Sequence, residues 1–339
     1  MGVVEAGEDP AADRRHILDT PTVDRLLEAY LENRAEEGVK SVKYIRSTFK
    51  RNVSPYIGKK LTSEVTTEDV TALLRRVVAR GSITVARRVQ QFLHAAFAYG
   101  LKAKNDPNID VTGIDYGLAF NPVTGTQTVR IKNKAEDHYP TLQELAIAWF
   151  RISERTGPEV ANAFRFHVAM GGQRVTETCN ARWDWLHEVN GVLCLCIPNT
   201  KTGIPHTVPV GTHAQQVLDS IRPYTGNCQV LFPQRHASST PINYTSISSA
   251  IRKLRVDHKM TAWTPKQLRR TAKTVLSDNG MELHKLDYWQ NHNQRATISQ
   301  RHYLRAVHLD AKIEVMNLWD QLLGNALGEY RRKQMDLVA

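Results

Sequence analysis

Residues 192–210 read VLCLCIPNTKTGIPHTVPV. Val192 to Ile197 is an apolar run of strand length, Asn199-Thr200-Lys201-Thr202-Gly203 is turn chemistry, and His206 to Val210 supplies a second strand. This hairpin stands alone among helical patterns. Upstream, Thr141 with Glu144 opens a helix through Leu145, Ala148 and Trp149 as a capping box. Another covers about Pro158 to Met170, and a third begins near Arg174. Downstream, helical spacing recurs over about Thr212–Ile221, Ser246–Val256, Pro265–Asp278, Leu283–Gln290, Thr297–Val307 and Lys312–Tyr330. The expected fold is therefore mainly α with a small β-sheet.

The first part of the chain reads as helix throughout. After a polar, acidic stretch over residues 1–19, expected to be a flexible tail, Val23, Leu26, Leu27, Tyr30 and Leu31 recur at helical spacing. A second helix, about Ser41 to Val53, interleaves Tyr44, Ile45 and Phe49 with Lys43, Arg46, Lys50 and Arg51. Thr66 and Asp69 cap a third. The fourth, SITVARRVQQFLHAAFAYGLKAK over 82–104, carries Arg87 and Arg88 near its start. Residues 20–120 thus form an all-helical domain. Polar, periodicity-poor sequence over 121–138 then reads as a linker, followed by a mixed domain over 139–311 and a terminal amphipathic helix over 312–339.

Composition bounds the function. The 339 residues carry 45 Lys and Arg against 34 Asp and Glu, a formal charge of +11. That surplus favours a polyanionic partner, because each cation placed on a phosphate releases a counterion. Lys43, Arg46, Lys50, Arg51, Arg87 and Arg88 are the candidate contacts in the helical domain. No apolar run approaches membrane-spanning length. The four cysteines, Cys179, Cys194, Cys196 and Cys228, form no CxxC pair and read as reduced thiols of a cytoplasmic protein. No metal motif and no phosphate-binding GxxxxGK[ST] loop is present, so neither metal nor cofactor is expected.

Four segments of the second half carry the candidate chemistry: AMGGQRVTETCNARWDWL (169–186) with Arg174 and Glu177, the hairpin with Lys201, TPKQLRRTAKTVLSDNG (264–280) with Lys266 and Arg269, and NHNQRATISQRHYLRA (291–306) with His292 and Tyr303. In order and content they resemble the tyrosine site-specific recombinases of the phage integrase family. The helical part is similar to that family's core-binding, SAM-like domain, including the Asn121-Pro122 after its last helix. One position departs from the pattern: Lys266 stands where the family usually has His.

The resemblance implies that Tyr303 attacks a DNA phosphate, leaving a 3′-phosphotyrosine that a second strand end resolves. Two arginines suit the task, since guanidinium groups hold two phosphate oxygens in fixed geometry and stay charged. Lys201 would protonate the leaving 5′ oxygen and His292 would donate to a phosphate oxygen. Lys266, an ordinary cation near neutral pH, would stabilise charge rather than abstract a proton. Glu177 would support Arg269 or Lys266. The resemblance further implies double-stranded attachment-site DNA clamped between the domains, a homo-tetramer on two duplexes, and a monomer or weak dimer when free. It implies too an accessory DNA-bending or directionality factor, and a terminal helix exchanged between protomers. Two rival readings keep the residues and change the function: a type IB topoisomerase, and a DNA-binding regulator that does not cleave.

Overall fold

The computed structural model describes residues 21–103, 105, 114–130, 138–200, 203–292 and 308–336. The expected tail, the expected helix Thr297–Val307, and the candidates Lys201 and Tyr303 lie outside the described residues. The fold comprises two compact units, Met1–Lys134 and Ala135–Ala339.

The first unit contains the four expected helices, α1 (Val23–Glu36), α2 (Val42–Asn52), α4 (Thr67–Ala79) and α5 (Ile83–Ala103), with a single extra turn, α3 (Ser54–Ile57), between the second and third. Thr22 caps α1 and a Thr66–Asp69 capping box starts α4. The apolar stripes meet in one core, with Val23, Leu26, Phe49, Leu73, Leu93 and Phe97 all buried. The segment expected to be linker behaves differently over 121–130. The Gln90 side chain of α5 donates to Thr126 Oγ1 and the Gln127 carbonyl, and accepts from the Val129 amide at 2.9 Å. Asn121 Nδ2 caps the His94 carbonyl at 2.9 Å. One helical glutamine thus supplies the pairing that a polar, aperiodic strand of chain cannot supply to itself.

In the second unit α6 (Leu142–Arg151) starts at the Thr141–Glu144 capping box, and α7 (Pro158–Ala169) is buried on most sides by Ala161, Ala163, Phe164, Phe166 and Val168. A short α8 (Val175–Cys179) leads to an antiparallel sheet of β1 (Leu186–Val189), β2 (Val192–Ile197) and β3 (His206–Pro209) in that order. The expected hairpin is β2–β3, in register Cys194↔Pro209 to Ile197↔His206. β1 and a second small hairpin, β4 (Pro233–Gln234) with β5 (Ala237–Pro241), were not legible as strands. Helices α9 (Thr212–Thr225), α10 (Tyr244–Asp257), α11 (Leu268–Asp278) and α12 (Leu283–Trp289) follow, and α13 (Leu309–Asp336) closes the unit. Among the described residues no helix is long and apolar enough to cross a membrane.

Helix α13 was expected to be exchanged between protomers; in this chain its apolar stripe packs into its own unit, against α6, α12 and β3. Val315, Met316, Trp319 and Leu323 are at most 1% exposed, and Trp319 Nε1 donates to the Val168 carbonyl at 3.0 Å. The fit depends on Gly171 (φ +34°), where a Cβ would lie 2.2 Å from Trp319 Nε1. The stripe also buries Lys312, whose Nζ donates to the Thr207 carbonyl at 3.0 Å; burial pushes its pKa down to about 8. Residues 331–336, beyond Tyr330 stacked on Phe150, are all exposed.

Candidate active site

The site is built on the C-terminal end of α12. Asn291 takes a left-handed conformation (φ 53°), an available backbone state for Asn. Its amide then reaches the Tyr288 carbonyl at 3.3 Å, and the His292 amide reaches that of Asp287 at 2.9 Å. This is the pairing of a Schellman cap, which satisfies the carbonyls inside the helix and leaves the next three pointing outward. Each of those three takes a donor from elsewhere. Trp289 O accepts from Gln173 Nε2 at 2.9 Å, Gln290 O from Arg269 Nη2 at 2.6 Å, and Asn291 O from Arg174 Nη2 at 3.3 Å. The partial negative charge of a helix C-terminus suits two guanidinium groups.

Arg174 comes from the start of α8 and Arg269 from the first turn of α11, so segments far apart in sequence converge here. Burial, with the Arg174 charge nearby, brings the pKa of Arg269 down to about 10, still cationic at neutral pH. Arg269 Nη1 is buried and has no hydrogen-bond partner among the described residues. Glu177, 7% exposed, accepts from Arg174 Nη1 at 3.0 Å. It was expected to support Arg269 or Lys266; the i,i+3 spacing on α8 gives it to Arg174 instead. The carboxylate bonds to one of the two arginines, so the corner keeps a positive charge.

His292 faces this pair, with Nε2 at 2.8 Å from Arg269 Nη2. Arginine can only donate, so Nε2 is the acceptor and the ring proton sits on Nδ1, toward Asp287 Oδ1 at 3.9 Å. Burial first, then Arg269 and Lys273, hold its pKa below the ordinary value. As described, His292 orients Arg269, and it can donate to a phosphate only by turning or taking a proton. Lys266 lies exposed on the 3-10 turn Pro265–Gln267 ahead of Arg269.

Two buried histidines that sequence reasoning did not single out support the site. His206 is described below. His167, fully buried on α7, donates from Nε2 to the Pro265 carbonyl at 3.1 Å and meets Thr178 Oγ1 through Nδ1 at 3.0 Å. It ties the Lys266–Arg269 segment to the helix after Arg174. Burial lowers its pKa to about 4. An unfolded chain takes this proton near pH 6.5, so between 6.5 and 4 the unfolded state holds more protons and stability falls as pH falls, by roughly 3 kcal/mol. His167→Gln, which keeps a donor toward Pro265, is expected to remove that share of the loss. Melting temperatures at pH 7 and 4.5 check it; an unchanged acid loss in the variant would refute the assignment.

Of the basic residues expected to touch DNA, three have partners within the first unit. Arg46 pairs with Glu28, Arg87 donates to the Val129 carbonyl at 2.9 Å, and Arg88 donates to Tyr44 Oη at 2.9 Å. Lys43, Lys50 and Arg51 are exposed on α2. Among the described residues no group of three His, Cys, Asp or Glu is placed to hold a metal ion.

The fold is that of an integrase: a lambda integrase tetramer solved on a Holliday junction matches with a TM-score of 0.66 at 17% identity, over 87% of this chain and 85% of that one. The chain belongs to the phage integrase family, matching the description "Phage integrase family" over 131–308 and "Phage integrase central domain" over 24–113. It is 23% identical over 278 residues to prophage integrase IntA of Escherichia coli K12, and 23% identical over 294 residues to the integrase of Enterobacteria phage P4. These matches take in 81% and 82% of this chain but 63% and 64% of those relatives.

Proposed function

We propose that the chain is a site-specific DNA recombinase that integrates and excises a mobile element. It would cut and rejoin strands through a 3′-phosphotyrosine formed by Tyr303. The observation that carries this is the Arg174–Arg269 corner: two converging guanidiniums, one with a buried nitrogen that has no partner among the described residues, and a carboxylate bonded to the other. That arrangement suits an anion whose charge grows in the transition state, as a phosphodiester's does under attack. Tyr303 releases its phenolic proton to solvent as its oxygen bonds to phosphorus, and the bond to the 5′ oxygen breaks as Lys201 gives that oxygen a proton. Because a phenoxide is itself a competent leaving group, the step runs backward as readily, which rejoining requires. Lys266 adds fixed positive charge, His292 aligns Arg269, and Glu177 aligns Arg174.

Double-stranded attachment-site DNA is the substrate, held mostly through phosphates and so with salt-sensitive affinity. Lys43, Lys50 and Arg51 are the first-unit contacts that best fit this role. The lambda integrase tetramer on a Holliday junction supports four copies acting on two duplexes, with a monomer or weak dimer when free. An accessory DNA-bending or directionality factor and a cytoplasmic location on the nucleoid complete the reading.

The test begins with the DNA junctions of the element that encodes the chain, mapped by sequencing. A duplex of that sequence, nicked so that cleavage cannot reverse, is expected to trap a covalent adduct on denaturing gels. Tyr303→Phe should abolish the adduct while duplex affinity stays unchanged, since only the phenolic oxygen is lost. An adduct persisting in the variant removes Tyr303 as nucleophile. Plasmid relaxation without strand exchange would make the chain a topoisomerase, and binding without an adduct in the parent would make it a regulator.

A further inference from the structure

His206 is the first residue of β3, just after the hairpin turn, and is 3% exposed. Its Nε2 lies 3.1 Å from Gln173 Oε1 and 3.1 Å from the Trp289 carbonyl. Gln173 uses its own amide nitrogen on that same carbonyl at 2.9 Å, which leaves its oxygen facing the histidine. Both neighbours of Nε2 are thus acceptors, and the ring nitrogen must carry the proton and share it between them. Burial holds the pKa of the ring well below the ordinary value, and the charges of Lys312, Arg269 and Arg174 add to that, so the imidazole is neutral.

The link joins the two pieces of backbone that place the arginines. Gln173 immediately precedes Arg174, and Trp289 immediately precedes Gln290 and Asn291, whose carbonyls hold Arg269 and Arg174. The approach is close: Gly172 (φ +97°) has no room for a side chain, because a Cβ there would lie 2.5 Å from Gln290 Nε2. Gln173 Nε2 and Arg174 Nη2 also bond to carbonyls of the helix end, and the shared proton of His206 adds a further directional link between the two.

We propose that His206 is a positioning residue for phosphate recognition: its Nε2–H locks the Gly171–Arg174 turn to the end of α12 and so sets the spacing of the two guanidiniums. It rests on the reading of Arg174 and Arg269 as the phosphate clamp. The residue does not touch the phosphate; it acts through Gln173 and the carbonyls after Trp289.

Calorimetric titration of the full chain with inorganic phosphate, at constant ionic strength, separates this role from packing. Glutamine places an amide nitrogen where Nε2 of histidine lies, so His206→Gln keeps the donor and His206→Phe removes it. Phosphate affinity in His206→Gln should stay within about threefold of the parent and fall about tenfold or more in His206→Phe, the size of one directional hydrogen bond. Parental affinity in His206→Phe, or equal loss in both variants, overturns the inference. Should His206→Phe not fold, Gln173→Met cuts the same link from the turn, and parental affinity there overturns it equally. Arg269→Ala is the control. Undiminished binding in Arg269→Ala refutes the clamp reading and the inference with it, whereas loss there beside parental binding in His206→Phe refutes the inference alone.

Discussion

Removing residues from Lys312 onward is expected to unfold the second unit. Val315, Met316, Trp319, Leu323 and Leu327 are buried in its core, and each such side chain contributes about 1.5–3 kcal/mol by leaving water. Their loss together is as large as the ~5–15 kcal/mol by which domains are stable. Trp319→Ala alone should cost about 3–5 kcal/mol, with the Val168 carbonyl losing its donor as well. Thermal melting followed by circular dichroism checks both: the truncated chain should show no cooperative transition for this unit, and Trp319→Ala a transition many degrees lower. A truncated chain that melts cooperatively at the parental temperature would mean that the helix is dispensable to its own unit and free to be exchanged.

Arg269→Lys and Arg174→Lys should each lower strand cleavage by about 10²–10³, the effect of removing one preorganised donor from a developing oxyanion. The charge is kept, but the geometry is not. Arg269 spends Nη2 on Gln290 O and His292, while its buried Nη1 has no partner among the described residues; a lysine has one nitrogen and cannot reproduce the fork. Arg174 likewise divides its nitrogens between Glu177 and Asn291 O. Duplex binding should change by less than about threefold, because affinity is spread over many phosphate contacts. Single-turnover cleavage of the nicked duplex beside a binding titration reads the two effects separately. Equal losses in both would reduce the arginines to general phosphate contacts.

Much of this was legible in the sequence because it is local. The capping boxes at Thr66 and Thr141, the stripes of α1 and α5 and the β2–β3 hairpin each depend on residues within one or two turns of each other. Arg174, Lys266, Arg269 and His292 could likewise be named as candidates, since motif order survives without coordinates. β1 was missed because Leu186–Val189 is short and only half apolar, and is a strand chiefly because β2 pairs with it. The glutamine that holds 121–130 was missed because it sits on the face of a helix whose period says nothing of what lies against it.

By itself the sequence determined the class of most elements, the mixed character of the second half, and the residue types able to grip a phosphate. Tertiary structure alone decided which partners those residues have. Amphipathic periodicity shows that α13 must bury a face, but a stripe looks the same whatever receives it; in this chain Trp319 packs beside Gly171 of the same unit. Glu177 went to Arg174 rather than Arg269, and His292 to Arg269, because hydrogen bonding depends on angle and distance across α8, α11 and α12. His206 carried no signal at all, since a buried histidine acquires its tautomer, its neutrality and its role only from the groups that the fold brings around it.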